Sequence, residues 1–91
     1  MYDDAVAAPA QIRTGVFGAS GNAGAELLRL VAGHPNLEIG LATGDSQAGI
    51  RAADLYPSLA AAYPALRFAP ADPAAADGLD LVFLALPHGA G

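Results

Sequence analysis

Ile12-Arg13-Thr14-Gly15-Val16-Phe17-Gly18-Ala19-Ser20-Gly21-Asn22-Ala23-Gly24-Ala25-Glu26-Leu27-Leu28-Arg29-Leu30-Val31 is an apolar run that meets a glycine-spaced turn and then an amphipathic pattern. Ile12 to Phe17 suits a buried strand, and Glu26 to Val31 suits the helix that follows. Between them Gly18, Gly21 and Gly24 stand at G-x-x-G-x-x-G spacing. Glycine permits the φ > 0 of a tight turn and lets backbone approach a pyrophosphate with no Cβ in the way, while the third glycine lets helix and strand pack closely. The free N–H groups of the helix start, at the positive end of its dipole, then face the anion. Eleven glycines in 91 residues leave an ordinary strand-turn-helix as the bland alternative. The position of the glycines directly between strand and helix favours dinucleotide binding.

Working outward, the helix is expected over about Ala23 to Ala32. Glu26 favours its first turn, and Gly33 and Pro35 supply the stop. Leu27, Leu28 and Val31 can face a sheet, with Arg29 in solvent. Leu37 to Thr43 reads as a second strand, ending in the polar turn Gly44 to Gly49. Strand, helix and strand in this order predict a βαβ unit with parallel strands. Further on, Ile50 to Tyr56 is read as a short helix stopped by Pro57, and Ser58 to Tyr63 as a helical turn. Leu66 to Phe68 is read as a short strand. Asp72 before Pro73 predicts a capped short helix. Leu79 to Leu86 suits a central parallel strand covered on both faces, and Pro87-His88-Gly89 follows it. The expected fold class is α/β, the first half of a Rossmann-type doubly wound parallel sheet, with 1–11 a loose leader and 12–91 the amino-terminal part of a dinucleotide-binding domain.

Composition narrows the function classes. Hydrophobic residues make up 54% and charged residues 14%, which argues against a disordered chain. Net charge is −5, with four arginines and no lysine, so there is no basic stripe for nucleic acid and no Gly-Lys-Ser/Thr P-loop. With zero cysteines the chain has no disulfide framework, thiolate zinc site or cysteine nucleophile. Residues 1–11 lack the features of a signal peptide, and no apolar stretch is long enough to span a bilayer. A cytoplasmic protein is expected.

In doubly wound folds ligands collect at the carboxyl ends of the strands. Three segments meet that condition: Gly18 to Gly24, Thr43 to Gly49, and Pro87 to Gly89. Asp45 stands where an acid could grip the ribose 2′-hydroxyl of NAD, whereas Thr43, Ser46 and Arg51 could instead bind a 2′-phosphate. As a plain alternative, Asp45 belongs to a solvated turn. His88 could act as a general acid or base, but with no nucleophile nearby in sequence a cofactor contact or a loop role is favoured. His34, at the helix stop, is expected in solvent. No paired carboxylates or metal-ligand spacing stand out, so catalytic and metal residues are expected to be none.

Gly18 to Leu30 followed by His34-Pro35, then Ser46-Gln47-Ala48-Gly49, Leu55-Tyr56-Pro57 and Val82-Phe83-Leu84-Ala85-Leu86-Pro87-His88-Gly89, resemble the amino-terminal part of the N-acetyl-γ-glutamyl-phosphate reductases. The resemblance runs from about Ile12 to the end of the chain. The related aspartate-semialdehyde dehydrogenases share the glycine loop but usually differ at the Leu-Pro-His-Gly turn. The resemblance implies an NADP-dependent reductase of arginine biosynthesis that converts an acyl phosphate to N-acetylglutamate 5-semialdehyde, as a cytoplasmic homo-oligomer. It also implies covalent catalysis by a cysteine, assisted by a histidine.

Carried over by residue, Gly18, Ser20, Gly21, Asn22, Ala23 and Gly24 match the phosphate-binding loop. Thr43 and Ser46 match the adenosine-phosphate side, and Pro87, His88 and Gly89 the loop flanking the cofactor. Asn22 departs from a common tyrosine, Ile50 from a frequent lysine (with Arg51 adjacent), and Gly91 from a frequent serine. The family's catalytic cysteine and histidine have no counterpart within the 91 residues, so the chain alone is expected to be inactive. The alternatives are a stand-alone, non-catalytic dinucleotide-binding module and a fragment of a related aspartate-semialdehyde dehydrogenase.

Overall fold

The computed structural model describes residues 11–85. Most of the expected leader and the Pro87-His88-Gly89 turn lie outside the described residues. Strand β1 is Ile12–Phe17, helix α1 is Asn22–Ala32 and strand β2 is Leu37–Ala42. After a polar turn come a one-turn helix α2, Ala52–Leu55, and 3-10 turns at Pro57–Leu59 and Pro73–Ala76; strand β3 is Leu81–Leu84. Among the described residues the sheet runs in the order β2-β1-β3, and both pairings are parallel. This is the expected α/β arrangement.

Each element follows from its residues. In β1, Thr14, Gly15 and Val16 are buried, and the Thr14 hydroxyl satisfies itself on the Ile12 carbonyl at 3.1 Å. Helix α1 buries Gly24, Ala25, Leu28 and Val31, a stripe at helical spacing, and leaves Arg29 exposed. The helix begins at Asn22, one residue earlier than expected. Glu26 therefore lies beyond the first turn, where it pairs with Arg29 on the surface instead of meeting the helix dipole. At the other end Gly33 and His34 close the helix through N–H bonds to the Leu30 and Val31 carbonyls. His34 is exposed, as expected. In β2 the pairing to β1 skips Gly40, a local bulge.

The core is built from small side chains around a few large ones. Val16, Ala19, Leu28, Ala42, Ala52, Leu59, Phe68 and Ala85 form one buried cluster. Phe68 comes from the segment read as a short strand. It is extended but forms only single bridges: Arg67 pairs antiparallel with Arg51, and Ala69 pairs parallel with Thr43. The Phe68 N–H donates to the Ile50 carbonyl and the Ala69 N–H to the Ala42 carbonyl, so successive residues pair with different neighbours and no ladder propagates. The same segment caps the cluster from the far side of β2.

Two further expectations meet the structure differently. The predicted helix at Asp72 is a 3-10 turn, with the Asp72 side chain accepting from the Ala74 N–H at 3.0 Å and Pro73 in the first turn. The apolar run from Leu79 supplies β3, which among the described residues is an outer strand beside a central β1, with Leu81, Val82 and Leu84 exposed. Continuous hydrophobicity marks a strand as apolar on both faces but does not say where in the sheet it lies. Leu79 and Asp80 precede β3: Asp80 grips β1, accepting from the Arg13 N–H through its carboxylate and donating its own N–H to the Arg13 carbonyl.

Candidate functional site

Because β2 and β3 flank β1 on opposite sides, the chain changes direction across β1, and a crevice opens at the carboxyl ends of the strands. A cleft of about 740 Å³ lies there. Its lining comes from every strand end: Phe17 and Gly18 at the end of β1, Thr43, Asp45 and Ser46 after β2, and Leu84 and Ala85 at the end of β3. The glycine loop and the first turn of α1 complete it through Ser20, Gly21, Asn22 and Ala23.

The three glycines do three different things. Gly18 has φ +83°, and a Cβ there would collide with the Ala85 carbonyl, so glycine lets β1 and β3 close together at the cleft floor. Gly24 is buried in α1, where a Cβ would run into the Ala19 Cα and the Gly18 carbonyl; this glycine seats the helix on the turn. Gly21 is unlike both. It is the exposed N-cap of α1 with ordinary extended geometry, and a Cβ there would meet only the Gly18 carbonyl, at 3.7 Å. The fold itself does not require glycine at this position.

No side chain caps α1. The N–H groups of its first turn, which a helix leaves without partners, belong to Asn22, Ala23 and Gly24, and the cleft is lined by two of these residues. Among the described lining residues there is no arginine; the only charged residue is Asp45. An anion in the cleft is therefore received by helix-terminal N–H groups and their dipole. That arrangement, with the bare Gly21 beside it, fits a dinucleotide's pyrophosphate.

Several groups hold the loop in this shape. The Gly18 N–H donates to Thr43 Oγ1 at 3.0 Å, and the Ala19 N–H donates to the Thr43 carbonyl at 2.7 Å. Thr43 is fully buried, so besides lining the cleft it fastens the end of β1 to the end of β2. Ser20 leans on Gly44, where a Cβ would come within 2.9 Å of the Ser20 Oγ.

The structure thus brings Gly18, Ser20, Gly21, Asn22, Ala23, Thr43 and Ser46 into one cleft, with Gly24 packed behind it. Arg51, weighed from sequence as a phosphate ligand, does not line this cleft; its guanidinium forms a two-point pair with Asp54 at 3.0 and 3.1 Å. Arg67 is spent on the Gly49 carbonyl at 2.8 Å. Ala71 joins the lining without any residue-type signal. It is brought there by the preceding backbone, since Gly44 donates to the Ala69 carbonyl at 2.9 Å. Pro87, His88 and Gly89 lie outside the described residues. Among the described residues no cluster of three or more metal-ligating side chains occurs, and no helix is long and apolar enough to cross a membrane.

Comparison with known proteins agrees with this geometry. Residues 13–91 match the family described as semialdehyde dehydrogenase, NAD binding domain. Over 78 residues, 86% of this chain, the sequence is 58% identical to the N-acetyl-gamma-glutamyl-phosphate reductase of Salinispora arenicola and 44% identical to that of Azotobacter vinelandii. The corresponding protein of Salinispora tropica is 54% identical over the same length. The chain spans 23% of the length of each of these relatives. A parallel sheet, a switch-point cleft, a glycine loop opening on a helix N-terminus and a family match over nearly the whole chain converge: this chain belongs to the NAD-binding domain family of the semialdehyde dehydrogenases.

Proposed function

We propose that the chain is the NADP-binding part of an N-acetyl-γ-glutamyl-phosphate reductase, the enzyme of arginine biosynthesis that reduces an acyl phosphate to N-acetylglutamate 5-semialdehyde. The observation that carries this reading is the uncapped α1 N-terminus opening on the cleft beside Gly21. The identity of 44 to 58% with reductases of that name supplies the reaction. When bound, the nicotinamide supplies or accepts the hydride. This chain's residues do the holding: the α1 N–H groups and Asn22 take the pyrophosphate, Gly18 and Gly21 let it approach, and Ser46 faces the adenosine side.

Pro87, His88 and Gly89 follow β3 in the sequence and flank the cofactor in this reading. The covalent step needs a thiolate, and the chain has no cysteine. The acyl transfer is therefore assigned to other residues of a longer, cytoplasmic, homo-oligomeric protein, and the 91 residues alone should give no turnover. A second reading, a stand-alone dinucleotide-binding module, predicts the same binding but no reductase.

Two experiments test this reading. Titration of the chain with NADPH, NADH and ATP should show NADPH binding most tightly; no binding by a folded chain would sink the reading. The natural gene should also restore arginine-independent growth to a strain lacking the reductase. Failure of a well-expressed product to rescue, together with intact NADPH binding, would shift the account to the stand-alone module.

A further inference from the structure

A second segment reaches the glycine loop without lining the cleft. Leu55-Tyr56-Pro57 ends α2 and begins the next 3-10 turn, and Tyr56 is half-buried against the core cluster. Its phenol O–H donates to the Ser20 carbonyl at 2.7 Å, a good length for a hydroxyl donor. The same oxygen lies 3.4 Å from Asn22 Oδ1, a second and more distant acceptor. A phenol has one proton. It goes to the Ser20 carbonyl, the nearer of the two acceptors.

These contacts fall on either side of Gly21. The peptide unit joining Ser20 to Gly21 is held at both ends: its carbonyl accepts from Tyr56, and its N–H donates to the Gly18 carbonyl at 3.2 Å. A peptide so held cannot rotate its carbonyl toward the cleft, where it would repel a phosphate. The next residue, Asn22, lines the cleft and opens α1. Tyr56 itself is absent from the lining.

We propose that Tyr56 is a positioning residue for anion binding. Its hydroxyl fixes the Ser20–Gly21 peptide, directly before Asn22, so that the α1 N–H groups meet the pyrophosphate of a dinucleotide already aligned. The inference rests on the dinucleotide reading of the cleft. It adds a residue 34 positions from Asn22 that acts through the loop and not on the ligand.

The test is Tyr56→Phe, which keeps the ring in the core and removes only the hydroxyl. The probes are NADPH, which carries the pyrophosphate, and 2′-AMP, which reaches the adenosine side alone. Tyr56→Phe should raise the Kd for NADPH about tenfold, the effect of one lost hydrogen bond in an aligned site, and leave that for 2′-AMP within twofold. Asn22→Ala should weaken NADPH binding too, and adding it to Tyr56→Phe should weaken binding by less than the two single effects combined. Unchanged NADPH affinity in Tyr56→Phe overturns the proposal, as does equal loss for both probes or failure of the variant to fold, since each of the last two assigns the tyrosine to general stability. Absence of NADPH binding in the unsubstituted chain is a different failure, that of the dinucleotide reading itself.

Discussion

Gly21 and Gly24 sit three residues apart, yet valine at one and alanine at the other should fail for opposite reasons. At Gly21 the backbone is extended and a Cβ has room. Gly21→Val should therefore fold and lose NADPH binding, because the branched side chain fills the space the pyrophosphate needs. Unchanged affinity in the folded variant would refute the placement of the loop. At Gly24 a Cβ meets backbone that cannot step aside. Gly24→Ala gains about 1 kcal/mol of helix propensity, but overpacking costs about 1–3 kcal/mol and more against backbone, so its urea midpoint should fall. Asp45 gives a residue-scale test of cofactor choice. It lines the cleft with Ser46, and in the NADP reading its charge opposes the 2′-phosphate. Asp45→Asn should then tighten NADPH and leave NADH unchanged or weaker. The reverse pattern, loss of NADH affinity with no gain for NADPH, would mark Asp45 as the ribose ligand of an NAD protein.

At the scale of elements, α1 is held by two tyrosines from the irregular segment that follows β2. Tyr56 reaches its start, and the Tyr63 hydroxyl donates to the Leu28 carbonyl at 2.7 Å, midway along the helix. Burial pushes the Tyr63 phenol above its ordinary 10.0. The folded chain thus keeps the proton at a pH where the unfolded chain has begun to release it. The stabilisation this gives is complete below about pH 10 and is lost as pH rises through the folded value. Tyr63→Phe should be less stable than the parent by about 1 kcal/mol at neutral pH, the worth of one hydrogen bond. That gap, read from urea unfolding at pH values from neutral to strongly alkaline, should narrow above about pH 10. A gap constant across the range would show that Tyr63 titrates alike in the folded and unfolded chains. These tyrosine contacts were not legible in sequence: Leu55-Tyr56-Pro57 reads as a helix stop, and no periodicity says which backbone carbonyl a phenol will meet 35 or 36 residues away.

For the molecule as a whole, the cleft joins parts that are otherwise held by few large side chains. Its lining includes residues from all three strand ends, and four of the eight members of the buried cluster are alanine and only Phe68 is aromatic. A ligand that touches β1, β2, β3 and α1 at once binds only the assembled fold. NADPH at a hundredfold excess over its Kd should therefore stabilise the chain by about 2.7 kcal/mol and raise its melting temperature. Gly21→Val should abolish that shift while keeping a cooperative transition. A melting temperature indifferent to saturating NADPH would mean that the ligand does not engage the folded cleft.

What the sequence by itself determined was local and periodic. The six residues of β1, the apolar face Leu27, Leu28 and Val31, the three glycines and the Asp72-Pro73 start each act within a few residues of themselves. Short-range sterics and hydrogen bonding suffice to place them. From the same stretch the parallel βαβ unit and a glycine turn opening on a helix start followed. Only the tertiary structure set β2 and β3 on opposite sides of β1, because an apolar strand pattern does not name its neighbours. It alone set Thr43 and Tyr56 against the glycine loop, Ala71 in the cleft wall and Arg51 away from it on Asp54. Those outcomes depend on contacts between residues far apart in the chain, which form only when the sheet order brings the strand ends together.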